Sequence, residues 1–208
     1  YTFKYIIILM KKLVKCIIDK EPCLPIWFMR QAGRYLPEFQ KVRLENPDFI
    51  KLCLDSNLSS DITLQPMSRF NLDAAIIFSD ILMVPYALGQ EVKFEKGKGP
   101  NLDEINIEKF LNINELDYST KLSPVYEAIK KTKKKLNKNK SLISFVGAPW
   151  TLAVYMMGLK KEKNILDFNI LKKNSSEISL IIEKINNFLL IHIKKQIEAG
   201  ADVIQIFD

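Results

Sequence analysis

Two arginines four residues apart, in the run Met29-Arg30-Gln31-Ala32-Gly33-Arg34-Tyr35-Leu36-Pro37-Glu38-Phe39, are the residues of this chain best suited to hold a ligand. A guanidinium presents a planar fork of donors that fits a carboxylate, and it stays charged at any working pH. Gly33 between them permits a tight turn and close approach of backbone to ligand. The apolar run Ile26-Trp27-Phe28-Met29 reads as a buried strand, which puts both arginines at a strand end. Such a loop suits a small molecule carrying several carboxylates. The competing reading is two exposed charges on one helix face. Asp80 stands just past a second apolar run, Ala74-Ala75-Ile76-Ile77-Phe78, where it can serve chemistry or cap a helix. A third candidate, Tyr155, follows Gly147-Ala148-Pro149-Trp150-Thr151-Leu152, a sharp loop in which Thr151 is placed to cap the next helix.

Alternation of short apolar runs with longer helical patterns must position these groups. Strands are expected at 26–29, 74–78, 141–147 and 202–207, the second of the continuous apolar kind that is buried on both faces. A helical stretch is expected over 47–67. Ser123-Pro124 reads as a helix cap followed by a first-turn proline, with Val125, Ile129 and Leu136 marking the apolar side. Over 176–199 the residues Ile178, Ile181, Ile185, Leu189, Ile193 and Ile197 share one helix face, and Gly200 is placed to stop it. Strands alternating with helices imply parallel pairing through right-handed crossovers. No GxGxxG or GxxxxGK follows a strand, which removes the usual nucleotide-binding sheets.

The chain has 208 residues, 48% hydrophobic and 26% charged, enough for one sizeable core, and its net charge of +7 favours anionic partners. Three scattered cysteines and one histidine exclude a disulfide scaffold and a zinc cluster by spacing, and suit a reducing cytoplasm. Residues 130–140 hold seven lysines without interleaved aromatics, a solvated helix side rather than a nucleic-acid patch. His192 has no partner at ligand spacing and is read as structural. The apolar run Tyr5-Ile6-Ile7-Ile8-Leu9-Met10 is too short to span a bilayer and is followed at once by Lys11 and Lys12. Residues 1–9 are therefore read as a non-native or unstructured leader, and 10–208 as part of a single domain.

The stretch from Arg30 to Arg43, the run Phe78-Ser79-Asp80-Ile81-Leu82, and Gly147 to Leu152 with Tyr155 together resemble the uroporphyrinogen decarboxylase family. That resemblance implies an α/β fold, a (β/α)8 TIM barrel. With such barrels needing about 250 residues, only the first half, strands 1–4 with their helices, is expected here. It implies removal of CO2 from the four acetate arms of uroporphyrinogen III to give coproporphyrinogen III in haem and chlorophyll biosynthesis, without an added cofactor or metal. By resemblance Asp80 and Arg30 are catalytic, although a guanidinium with a pKa above about 12 is a poor acid near neutrality. Substrate contacts are implied for Arg30, Gln31, Ala32, Gly33, Arg34, Arg43, Asp80 and Tyr155, with Arg43 equally readable as an ion-pair residue. Phe28, Phe78, Met83 and Met156 are candidates for an apolar floor or for core. The partner is uroporphyrinogen III, with a homodimer expected at full length, no nucleic acid and no membrane. The family's serine or threonine after the fourth strand and its late histidine are not assignable, so the 208-residue chain alone is expected to be poorly stable and weakly active. Two other readings stand beside this one: a corrinoid or thiol methyltransferase of the same superfamily, and a non-catalytic truncated paralogue that binds porphyrin.

Overall fold

The computed structural model describes residues 11–20, 22–95, 99–159 and 175–208; the leader expected at 1–9 lies outside them. In chain order the elements are α1 (Lys12–Ile18), α2 (Pro37–Glu45), α3 (Phe49–Leu54), α4 (Ser56–Arg69), β1 (Ala74–Ile76), α5 (Met83–Ala87), β2 (Val92–Glu95), β3 (Gly99–Leu102), α6 (Ile107–Asn112), α7 (Glu115–Lys135), β4 (Ser141–Gly147), α8 (Pro149–Met156), α9 (Ser175–Glu198) and β5 (Val203–Phe207). The central sheet runs β1-β4-β5 and is parallel throughout, with Ala74 opposite Ser141 and Gly147 opposite Phe207. β2 and β3 form a separate antiparallel hairpin.

Alternation along the strands sorts two cores. Ala75, Ile77, Leu142 and Val146 face a large cluster built with α4, α5, α7, α8 and α9, including Tyr118, Leu122, Ile129, Leu152 and Ile185. Ala74, Ile76 and Ile143 face the other way, where Leu13 of α1 and Trp27 cover them. Local chemistry sets the helix boundaries. The expected 47–67 helix is two helices, because Asp55 is extended and its carboxylate accepts from Asn57 N–H and Leu58 N–H, capping α4 as α3 ends. Ser123-Pro124 lies inside α7, whose cap is Asn114. The carbonyl of Thr120, which loses its donor at Pro124, accepts from the Ser123 hydroxyl at 2.8 Å. Gly200 ends α9 with φ +112°, as expected.

The barrel expectation is not met. The structure shows an open three-stranded sheet beside a two-stranded hairpin, with no closure. The 26–29 run, expected as the first strand, is not a strand. It meets the flank of β1 only at isolated points: Ile26 exchanges with Asp73, donating to its carboxylate and accepting from its N–H. Its side chains explain why. Ile26, Phe28 and Met29 are exposed, so only Trp27 brings apolar surface to the sheet. A closed ring of hydrogen bonds needs a strand at each edge, and among the described residues none extends the sheet past β1 or β5. No described helix is long and apolar enough to cross a membrane.

His192, read as structural from the sequence, is buried between α7 and α9, where its Nδ1 shares a hydrogen bond of 3.0 Å with the Tyr126 hydroxyl. Desolvation pushes its pKa down to about 3. A histidine whose folded pKa is depressed must stay neutral, so its stability is complete above its ordinary value of 6.5 and is lost as pH falls toward the folded value. Between pH 6.5 and 4.5, before most carboxylates titrate, urea unfolding should lose about 2 kcal/mol, and His192→Gln should flatten that slope.

Candidate active site

Because β1, β4 and β5 are parallel, their C-terminal ends open on one edge of the sheet. Asp80 follows β1, Tyr155 stands on α8 after β4, and Asp208 follows β5. Asp80 is half-buried, and its Oδ1 accepts from Leu82 N–H at 2.9 Å. Burial raises its pKa, while the Leu82 N–H and the Arg30 guanidinium pull it back; burial wins. Arg30 is therefore within electrostatic reach of Asp80, which joins two of the sequence-predicted residues at one place.

The exit from β1 is held by α4. Phe78 N–H donates to the Thr63 hydroxyl at 2.8 Å, and the Ser59 hydroxyl donates to the Phe78 carbonyl at 2.5 Å. Both backbone groups of the first loop residues before Asp80 are thus satisfied by buried helix side chains. Neither Ser59 nor Thr63 was singled out from sequence, although two hydroxyls at i, i+4 on the face that also buries Ile62 were a readable signal. The Phe78 ring packs edge-on to Phe39 and Phe49.

The arginine loop runs from a turn at Met29-Arg30 into α2. Arg30 and Arg34 are exposed. Its backbone carbonyls are occupied from within: Phe28 accepts from Gln31 N–H, Gly33 from Leu36 N–H, Gln31 from the Tyr35 hydroxyl, and Arg34 from the Gln40 amide. Those bonds turn negative carbonyl ends toward internal donors, leaving the two guanidinium groups as the charged groups the loop presents. Gly33 has no positive φ, and a Cβ there would meet nothing closer than 3.8 Å. Ala32 is half-buried against Leu36 and Phe39. Gln31 is 2% exposed and its side chain turns into the protein. Arg43 Nη1 donates to the carbonyls of Asn46 and Pro47, and its guanidinium sits 5.5 Å from the Phe49 ring centre. That arrangement closes the end of α2.

α8 begins at Pro149 with Ala148 as its cap residue, so Thr151 is not a cap. Its hydroxyl instead donates to Asp208 Oδ1 at 2.9 Å. Tyr155, half-buried, follows one turn along the same face of α8. Met83 and Met156 are core, whereas Phe28 is 62% exposed beside the arginines. A hollow of about 820 Å³ between α3 and the β2–β3 hairpin shares Phe49 with this region but is lined by none of the sequence-predicted residues. Among the described residues no cluster of three His, Cys, Asp or Glu could hold a metal ion.

The class of fold is shared with a solved methyltransferase from Methanosarcina mazei, which matches with a TM-score of 0.72 over 95% of this chain and 58% of that one. At 18% identity the likeness is one of fold alone. Sequence is more specific: the family model described as Uroporphyrinogen decarboxylase (URO-D) matches residues 13–208, and the chain belongs to that family. Proteins named uroporphyrinogen decarboxylase are similar to it from Campylobacter jejuni serotype O:23/36 (43% identical, 93% of this chain, 58% of the relative), Orientia tsutsugamushi (47%, 88% and 54%) and Rickettsia canadensis (41%, 96% and 59%). The chain spans a little over half the length of these curated relatives.

One glycine sets the spacing of the site. A Cβ at Gly147 would lie 2.9 Å from Leu152 Cδ2 and 3.2 Å from Ile81 Cβ, so the loop bearing Asp80 and the first turn of α8 both close over it. Gly147→Ala should cost about 1–3 kcal/mol of stability through overpacking, read as a lower urea midpoint at unchanged slope.

Proposed function

We propose that this protein decarboxylates uroporphyrinogen III, converting its four acetate arms to methyls and giving coproporphyrinogen III without an added cofactor. The observation that carries the reading is the half-buried, under-compensated Asp80 at the sheet edge, within the electrostatic reach of Arg30, in a chain of this family. Uroporphyrinogen has eight carboxylates. Arg30 and Arg34 would each grip one through charge-assisted hydrogen bonds, with the 30–34 loop as their platform, and so orient one acetate at a time. Tyr155 would add a hydroxyl contact from α8. Arg43, committed to two carbonyls and to Phe49, would serve the site through the Phe49–Phe78 contact.

The chemistry needs an electron sink. Protonation of the ring carbon adjacent to the one that bears the acetate makes the ring a cation. The bond from the methylene to the carboxylate then breaks, its electrons form an exocyclic C=C that neutralises the ring, and CO2 leaves. The methylene takes up a proton to become the methyl, and the ring carbon gives up its added proton to restore the pyrrole. Asp80 would accept from the pyrrole N–H groups and stabilise the cation as it forms, in a site where burial strengthens the interaction.

Two readouts test this on the same variants. Uroporphyrinogen III would be incubated with the protein and its products separated by carboxyl number. Asp80→Asn should lower the rate at least about a hundredfold while holding substrate affinity within a few-fold. Arg30→Ala and Arg34→Ala should each weaken binding by about tenfold. Full turnover by Asp80→Asn, or no binding by the parent protein, would overturn the proposal. The same Asp80→Asn should raise Tm. Since burial raises the Asp80 pKa, its charge costs stability above that pKa and the cost is relieved as pH falls through it. The gain expected is a few degrees at neutral pH, on a scale of about 2–4 °C per kcal/mol.

A further inference from the structure

Gln31 sits in the middle of the arginine loop, yet it is among the most buried polar residues described. Its Nε2 donates to the Ala74 carbonyl, in β1, at 3.1 Å, and lies 3.7 Å from Met67 Sδ in α4. Its Oε1 accepts from Phe28 N–H at 3.2 Å. One amide thus ties the loop's own entry to the first residue of β1 and fills a gap beside α4. No strand pairing does that job, because the 26–29 run leaves the sheet's flank after Ile26. Ala74 is fully buried, so its carbonyl has no water to turn to if the amide is removed.

We infer that Gln31 is a positioning residue: its buried amide fastens the loop to β1 and thereby sets where Arg30 and Arg34 stand relative to Asp80. Arg30 immediately precedes Gln31, and the Gln31 carbonyl holds the Tyr35 hydroxyl next to Arg34. A loop released at Gln31 would keep both charges and lose their shared placement. The consequence for ligand rests on the reading of this site as one for a polycarboxylate tetrapyrrole; the fastening itself does not.

The test uses Gln31→Met, which keeps length and burial and removes both hydrogen bonds, with Gln31→Glu as a second variant that keeps the acceptor for Phe28 N–H and loses the donor to Ala74. Brief trypsin digestion reads the loop directly, through cleavage after Arg30 and Arg34, against cleavage after the exposed Lys138 as an internal reference. Gln31→Met should speed cleavage after Arg30 and Arg34 by about tenfold, with Lys138 unchanged. Equal cleavage in parent and variant would overturn the fastening, and so would a uniform rise at all three sites, which would make Gln31 a general core residue. Affinity for uroporphyrin, the stable octacarboxylate, is read on the same proteins by fluorescence. It should fall about tenfold in both variants. Faster cleavage without loss of affinity would overturn the link to placement. Failure of the parent to bind would sink the functional reading, while the cleavage ratio would still decide the fastening.

Discussion

Parallel pairing on both sides of β4 is the constraint from which the rest follows. A strand in parallel register with both neighbours must release all three chains at the same edge, and the register here ends with Gly147 beside Phe207. Three loops then compete for one small area. Gly147 relieves the crowding by offering no side chain where Ile81 and Leu152 converge. α4 relieves it differently, by taking both backbone groups of Phe78 so that the loop to Asp80 leaves in one direction.

The opposite edge is closed by charge. Asp202 accepts from Lys11, Lys133 and Leu142 N–H, tying α1, α7 and β4 together. Burial alone would raise its pKa, but these three partners outweigh burial and hold it below the usual range. Asp73 does the same with Ile26 N–H and Lys12. Asp80 has a single N–H and a more distant arginine, and its pKa moves the other way. Carboxylates at one end of the strands are saturated with partners and act as fasteners. The carboxylate at the other end has acceptor capacity to spare, which is the property the proposed function draws on.

Legibility from sequence followed how strongly burial dictated each segment. β4 was readable to the residue because its apolar residues dominate and all of it but Phe145 is buried. α9 was readable within a residue at each end because Ile178, Ile181, Ile185 and Leu189 repeat along its buried side, although Ile197, expected there too, is exposed and His192 and Gln196 take the buried positions. The 26–29 run misled, since apolar residues in an extended segment look the same whether covered or exposed, and Phe28 and Met29 turned out exposed. With that strand went the barrel, whose expectation rested on family likeness and a fourth strand at the edge. The β2–β3 hairpin escaped notice because the alternation Val92-Lys93-Phe94-Glu95 is only four residues long and its partner opens with Gly99-Pro100, which reads as a turn. Asp80 was singled out by residue type, strand-end position and family resemblance; the arginines were singled out by residue type and resemblance, since the strand expected before them is absent. Ser59 and Thr63 were missed although their i, i+4 spacing was a signal, whereas the inward turn of Gln31 leaves no local pattern, since its amide bonds a distant backbone carbonyl.

Arg30 and Asp80 also bear on each other once a ligand is present. In the free protein the Arg30 charge partly offsets the burial of Asp80. Under the proposed function a substrate carboxylate would engage Arg30 and share that field, so Asp80 would lose part of the one opposing side-chain charge that acts on it among the described residues. The pyrrole cation formed during decarboxylation would replace it. The interaction would be weak with the neutral macrocycle and strong with the protonated one, which is the differential binding that lowers a barrier. Saturating Asp80 with a fixed cation, as Lys11 and Lys133 saturate Asp202, would remove that difference. On that reading, the incomplete pairing of Asp80 is what would let the same carboxylate that destabilises the folded chain act on the reaction.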